Sequence, residues 1–402
     1  MRRVVITGAG TVNALALDVA GTFAAMREGR SGIGALDFPD VDRLSVGIGG
    51  QVKGFDPALH FTPQKRALYD PFAQYALVAA REAMRMAGLE AVPGAPDRWG
   101  CIMGTAGGGN GTVNDAFRAV YAEGRSRVHP FTVPRLMNNA ACSHIAMEWG
   151  LQGPSFSVAT ACASSNHAIG LAFQMVRAGM IDGALAGGSE AMLNFGGLKA
   201  WEGLRVMSPD ACRPFSKNRN GMVQGEGAGV FVIETLEGAL ARGAVPLAEI
   251  RGFSMTSDAG DIVMPSVDGA ARAIRGALDD AQLSLDEIGY INAHGTGTAA
   301  NDRTECLAIS QVFGARAPKV PVSSTKAMHG HLIGATGAVE LLACLLALNE
   351  GVIAPTINHQ EDDPDCALDV VPNHAREVQV DAALSNAFAF GGLNAVLALS
   401  KL

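Results

Sequence analysis

Two hydrophobic rhythms alternate along this chain, and the order in which they alternate is repeated. Over residues 70–90 apolar side chains return every three or four positions, the period of an amphipathic helix. A short apolar run, Trp99-Gly100-Cys101-Ile102-Met103, then reads as a strand, and Gly104-Thr105-Ala106-Gly107-Gly108-Gly109 as a glycine loop. The same order returns in the second half of the chain. A helical period over residues 268–283 precedes a strand-like Tyr290-Ile291-Asn292-Ala293, and His294-Gly295-Thr296-Gly297-Thr298 follows as the loop.

The next units match as well. Residues 155–160 predict a strand leading into a turn at Ala161-Cys162, then a mostly apolar helix to about Gly179. Residues 320–325 lead into Lys326, a turn around His331, and an equally apolar helix to about Asn349. Each half closes on a strand, at 230–233 and at 395–399.

Helices that are apolar on nearly every side must be buried on every side. Alternating strand and helix favours parallel sheets covered by helices. Two such halves packed together would hold the buried helices between two sheets. The expectation is an α/β chain of duplicated halves, residues 1–245 with the cysteine turn and residues 246–402 with both histidine loops. Residues 109–150 have no counterpart in the second half. Their two proline turns and polar stretches mark a cap or dimer-interface insertion.

Composition narrows the class. The chain is 48% hydrophobic and 17% charged, as a well-packed globule requires. Its 49 glycines in 402 residues exceed the typical share of about 7%, which points to many tight turns and close backbone approaches. A net charge of −8 argues against a nucleic-acid binder. The N-terminal apolar run is too short for a signal peptide. The strongest late run, residues 338–348, is interrupted by Glu340 and falls short of the ~20 residues of a membrane span. A cytoplasmic protein is expected. Seven cysteines without a Cys-x-x-Cys pair support neither a zinc site nor a disulfide framework. Gly8-Ala9-Gly10, read as following the first strand, resembles a dinucleotide loop. Position 13 is Asn, however, and no acidic residue follows a second strand, so no nucleotide is expected.

Cys162 stands out from the other cysteines because it lies between a strand and the start of a helix. A thiol there meets the positive end of the helix dipole and free backbone N–H groups, both of which favour thiolate. A sharp strand-to-helix turn also presents a side chain for attack. His294 and His331 each follow a strand in a glycine-rich turn, and the duplication puts all three loops at equivalent strand ends, where α/β folds hold ligands. A thiol with two imidazoles can hold a thioester carbonyl and stabilise negative charge on it. Lys326, Glu305 and Asp302 lie among apolar segments and must be paired to be tolerated, as a network fixing the histidine loops.

These residues together resemble the β-ketoacyl-acyl-carrier-protein synthases of the elongating type, over essentially the whole chain. The resemblance rests on four blocks in order. They are Thr160-Ala161-Cys162-Ala163-Ser164-Ser165; His294 to Thr298 with Asn301, Asp302 and Glu305; Lys326 with Gly330-His331 to Gly337; and Asn386 to Asn394. It implies the thiolase fold, a five-layered αβαβα sandwich of duplicated halves. It implies further that Cys162 accepts the acyl group from acyl carrier protein, and that His294 and His331 bind the malonyl thioester carbonyl as it loses CO₂. The N–H groups of Cys162 and Phe390 would form the oxyanion hole. Lys326, paired with Glu305, would hold the His331 loop.

By the same resemblance Thr296 and Thr298 bind the pantetheine arm, and Phe388 and Phe390 gate the acyl pocket. Gly107 stands where many relatives carry a bulkier pocket residue, which implies a roomier tunnel for longer or unusual chains. Val263 replaces a frequent threonine near pantetheine. Lys65, Arg66, Arg125, Arg127 and Arg205 are expected to flank the tunnel mouth and capture the acidic carrier protein. A homodimer is implied, with no metal and no organic cofactor. The His-Gly-Thr-Gly-Thr loop with Asn301-Asp302 is similar to nodulation-type and polyketide-type synthases. A degradative thiolase would need a second cysteine near the C-terminus, where Phe390-Gly391-Gly392 stands. An initiating synthase would pair its cysteine with one histidine and an asparagine. A non-catalytic partner subunit would lack the nucleophile.

Overall fold

The computed structural model describes all 402 residues. Strand β1 (Val4–Asn13) is buried along its whole length. It carries Gly8 and Gly10 because helix α1 (Pro71–Met86) lies directly upon it. A Cβ on Gly8 would stand 2.1 Å from the Ala83 carbonyl oxygen, and one on Gly10 1.9 Å from that of Ala79. Both glycines therefore sit inside the strand rather than in a loop after it, and close helix packing accounts for them. Helix α1 starts where its chemistry says it should: Asp70 caps the Phe72 N–H at 3.2 Å, and Pro71 takes the first helical position.

The rest of the first half comprises β2 (Trp99–Gly104), β3 (Ser155–Val158), α2 (Ser164–Arg177), β4 (Gly183–Glu190) and β5 (Gly227–Thr235). The second half comprises β6 (Ala248–Ser257), α3 (Val267–Ala281), β7 (Ile288–Asn292), α4 (Ala299–Phe313), β8 (Val322–Ser323), α5 (Thr336–Glu350), β9 (Ala382–Ala389) and β10 (Leu393–Ser400). Outward from β1 the strands run β5, β4, β2, β3, and outward from β6 they run β10, β9, β7, β8. In both halves the first two pairings are antiparallel and the last two parallel. The duplication is thus one of topology as well as of sequence.

Two expectations need correcting. The sheets are mixed rather than parallel, because each half closes on an antiparallel strand. Nor are there two separate sheets: β1 and β6 pair over Val4–Ile6 with Ala248–Ile250, so all ten strands form one hydrogen-bonded sheet. Strands β4, β6 and β9 carried no clear signal of their own. Strand β4 reads Gly-Ala-Leu-Ala-Gly-Gly-Ser-Glu, residues of low strand propensity, and is a strand because it is buried on both faces.

The layers follow from burial. Helices α2 and α5 lie in the largest apolar cluster, together with strand residues from both halves. Helix α1 covers the outer face of the first half, and α3 with α4 the outer face of the second. The two outer clusters hold 26 residues each, as the internal symmetry demands. The result is the five-layered α–β–α–β–α order. Residues Ile333–Glu350, α5 with the turn before it, are long and apolar enough to cross a membrane, but 89% of that window is buried inside the protein. The 109–150 insertion folds as helices Asn110–Phe117, Thr132–Leu136 and Ala140–Trp149. It leaves Phe117, Tyr121, Phe131 and Val133 exposed.

Candidate active site

The central helices begin at two equivalent strained turns. Ala161 has φ of 48° and Ile333 has φ of 47°, the left-handed region that side chains rarely adopt. Cys162 follows the first and Gly334 the second, one residue pair before α2 and α5 begin. The strain at Ala161 turns Cys162 toward a cleft that His294, Thr296, Thr298, His331, Phe388 and Phe390 also line. The Cys162 sulfur and one ring nitrogen from each of His294 and His331 all lie within 4.8 Å of one another. Three loops distant in the chain thus converge on one point. The sequence showed no cluster with metal-ligand spacing, yet folding assembles three such groups.

Hydrogen bonds decide how the two rings present themselves. The Ile333 N–H donates to His331 Nδ1 at 3.1 Å, so the ring proton is on Nε2, and Thr336 Oγ1 lies 2.8 Å from the same Nδ1. Lys326 Nζ stands 3.4 Å from His294 Nδ1, which leaves the proton of that ring on Nε2 too. Burial, and then the Lys326 charge, push both rings well below 6.5. Both are neutral N–H donors at neutral pH.

Cys162 differs from the expectation drawn from its helix position. Burial pushes its thiol up to about 11, against the opposing pull of Lys326 and of the Phe390 N–H. The residue is only 6% exposed, and a helix N-terminus does not outweigh that desolvation. The resting group is a thiol.

The charged network is real, but its pairings are not those inferred. Lys326 does not pair with Glu305. Its Nζ donates to Oε1 of Glu340 on α5 at 2.5 Å and to the His294 carbonyl oxygen. It therefore braces the His294 loop rather than the His331 loop. Glu305 accepts the N–H groups of His294 at 2.8 Å and Gly295 at 2.7 Å, and Asn386 Nδ2 at 3.1 Å. Asp302 accepts the Phe215 N–H at 2.8 Å and the Gly297 N–H at 3.2 Å, with Arg219 nearby. The His331 loop is tied instead by Glu190, whose carboxylate takes N–H groups from Ala106, Gly107 and Gly334 and the Thr105 hydroxyl. Burial raises Glu190 to about 7.

Among the remaining residues, the Phe390 N–H points at the Cys162 thiol, and its ring stacks on Trp201 at 5.9 Å. The Phe388 ring centroid is 6.2 Å from that of His294. Thr296 and Thr298 hydroxyls lie 2.8 Å apart on the cleft wall, and Thr298 also caps α4. Val263 lines the cleft. Gly107 is packed against Met192. A Cβ there would meet Met192 Sδ at 2.8 Å, so Met192 fills the space that the missing side chain leaves. Of the basic residues, only Arg205 is next to the cleft, one position before its lining residue Val206. Lys65 and Arg66 lie on the helix Pro63–Leu68, and Arg125 and Arg127 share a separate hollow with His129 and Arg135. Glu190, Glu340 and Trp201 were missed as site residues. Glu340 alone had a signal, as a charge in the middle of an apolar helix.

Comparison with known proteins gives the family. The family model "Beta-ketoacyl synthase, N-terminal domain" matches residues 1–239, and "Beta-ketoacyl synthase, C-terminal domain" matches residues 247–360. Nodulation protein E of Rhizobium sp. (strain N33) is 47% identical over 400 residues, covering 100% of this chain and 99% of its own. The 3-oxoacyl-[acyl-carrier-protein] synthase 2 of Staphylococcus aureus (strain COL) is 40% identical over 407 residues, covering 100% and 98%. The solved ishigamide ketosynthase/chain length factor superposes with a TM-score of 0.95 at 38% identity, covering 100% and 99%.

Proposed function

The chain belongs to the β-ketoacyl synthase family, and from that premise we propose how its residues divide the work. It is a condensing enzyme of the acyltransferase class, acting in fatty-acid or polyketide-type synthesis. In the first step the Cys162 sulfur attacks an acyl thioester carried by acyl carrier protein. The carbon–sulfur bond to pantetheine breaks, and the thiol proton of Cys162 ends on the departing pantetheine sulfur. The raised thiol makes this concerted loss of the proton, rather than a standing thiolate, the route to attack.

In the second step a malonyl thioester places its carbonyl oxygen between the Nε2–H groups of His294 and His331. Its carbon–carboxylate bond breaks, CO₂ leaves, and the electron pair becomes an enolate held by those two donors. The enolate carbon then attacks the acyl group on Cys162. The tetrahedral oxyanion sits against the N–H groups of Cys162 and Phe390, and the sulfur leaves and takes up a proton. Two neutral donors suit a developing oxyanion better than cations would, because neither captures the charge as a proton.

Lys326 and Glu305 act by position, holding the His294 loop. Thr296 and Thr298 receive the pantetheine arm, and Arg205 is the first basic contact for the carrier, with Lys65, Arg66, Arg125 and Arg127 further out. Residues 1–245 bring the nucleophile and 246–402 both histidines. The greater likeness to nodulation protein E supports a specialised acyl chain. The setting is the cytosol, and the exposed apolar side chains of residues 109–150 support a homodimer through that segment.

The convergence of one thiol and two ring nitrogens within 4.8 Å carries this reading. Intact-mass analysis after incubation with carrier proteins bearing chains of graded length tests it. An acyl adduct on Cys162, absent in Cys162→Ala and discharged on adding malonyl carrier protein, which then bears the acyl chain lengthened by two carbons, is the expected result. No adduct from any chain overturns it.

A further inference from the structure

The same three groups satisfy a chemistry that condensation does not require. A thiolate and two neutral imidazoles are a ligand set for zinc, at about 2.3 Å to sulfur and about 2.0–2.1 Å to nitrogen. Tetrahedral ligands at those lengths stand about 3.5 Å apart. The Cys162, His294 and His331 ligand atoms already lie within 4.8 Å of one another, so little more than about 1 Å of closure would complete a three-ligand site with a fourth position open to the cleft.

We propose that Cys162, His294 and His331 form a latent site for a borderline-soft divalent cation of the zinc class, and that Lys326 is the residue that keeps it empty. Binding replaces the thiol proton with the metal: the S–H bond breaks, a sulfur–metal bond forms and one proton is released to solvent. Each ring must offer its Nε2 lone pair, which moves the ring proton to Nδ1. On His294 that proton would face the Lys326 ammonium at 3.4 Å, donor against donor. On His331 it would face the Ile333 N–H at 3.1 Å, although Thr336 Oγ1 at 2.8 Å can accept it. The ammonium also repels the ion itself across a buried, weakly screened gap.

Lys326 is itself held in place by Glu340 and by the His294 carbonyl oxygen, so it cannot swing aside to admit the ion. The consequence is that the nucleophile and both carbonyl donors stay free in a cell that contains zinc. This inference rests on the three residues forming one site. It does not depend on the condensation being the reaction they perform.

Cobalt(II), a spectroscopic stand-in for zinc, tests it on the full chain through the thiolate-to-cobalt charge-transfer band. Wild type and Lys326→Arg are expected to show no band at micromolar cobalt. Lys326→Met is expected to bind at least about a hundredfold more tightly, with the band abolished in Lys326→Met/Cys162→Ser. Because Lys326→Met strands the Glu340 charge, Lys326→Met/Glu340→Leu is measured beside it as the variant that removes the whole pair. Wild type binding as tightly as the variants would show that Lys326 is no guard. Folded variants that bind no cobalt would show that the triad is no metal site. A cobalt band in the variants combined with no acyl adduct on wild-type Cys162 would sink the functional reading and leave this one supported.

Discussion

Lys326 Nζ donates to Glu340 Oε1 at 2.5 Å, and the two side chains are 0% and 1% exposed. The pair spans from α5 to the His294 loop, since the same ammonium also reaches the His294 carbonyl oxygen. Breaking one half of a buried pair strands the other charge, whereas removing both does not. Glu340→Leu alone should therefore destabilise the fold by about 3–5 kcal/mol, and Lys326→Met/Glu340→Leu by much less. Urea unfolding midpoints measure both. Equal losses in the single and double variants would show that the pair is not coupled.

Alkylation of Cys162 should report a thiol and not a thiolate. With the group pushed up to about 11, the rate of iodoacetamide labelling should climb about tenfold per pH unit from roughly pH 7 to 9. Lys326→Met should slow it, because the ammonium favours the charged form. A rate already level at neutral pH would mean that the helix N-terminus does dominate. The other six cysteines are buried and none of them lines the cleft, so peptide mapping should find the label at residue 162.

Each histidine should matter as an N–H donor. His294→Ala or His331→Ala should cut CO₂ release from malonyl carrier protein by about 10²–10³-fold. Asparagine at either position, which keeps an N–H, should recover part of that loss. Because burial and Lys326 hold both rings well below 6.5, release should persist as the pH falls to about 6. An acid limb centred on 6.5 would indicate an exposed, charged ring instead.

Stability should fall with rising pH through a window to which Glu226 contributes. Burial raises this carboxyl from 4.5 to about 7. The unfolded chain releases the proton near 4.5 and the folded chain near 7, so between those values the folded form holds more protons and raising the pH weakens it. Glu226→Gln keeps an acceptor for the Val52 N–H. It should gain roughly 1–3 kcal/mol over wild type at pH 8 and nothing below about pH 4.5. Urea titrations at the two pH values test the sign, and a gain at both would remove the titration argument.

Helix and strand periods, a glycine-flanked turn and the order of four blocks are local properties of a chain, and they were legible before any coordinates. They identified the duplication, both buried helices, and Cys162, His294 and His331. Strand β4 was not legible, because its Gly-Ala composition becomes a strand only through burial on both faces. Glu340 was visible as a break in hydrophobicity and misjudged, because an isolated charge in an apolar helix says that a partner exists without saying which. The pairing with Glu305 came from the family resemblance, whose blocks include Glu305 and not Glu340. Met192 gave no sign of lying over Gly107.

The sequence by itself pointed to the repeat, to the two buried helices and to three residues that the fold brings together, since these rest on spacing along the backbone. Tertiary structure alone decided the Lys326 partner, the Nε2–H form of both rings, the protonated state of Cys162 and the joining of ten strands into one sheet. Each of those depends on distances and dielectric between segments remote in the chain, which no local pattern encodes.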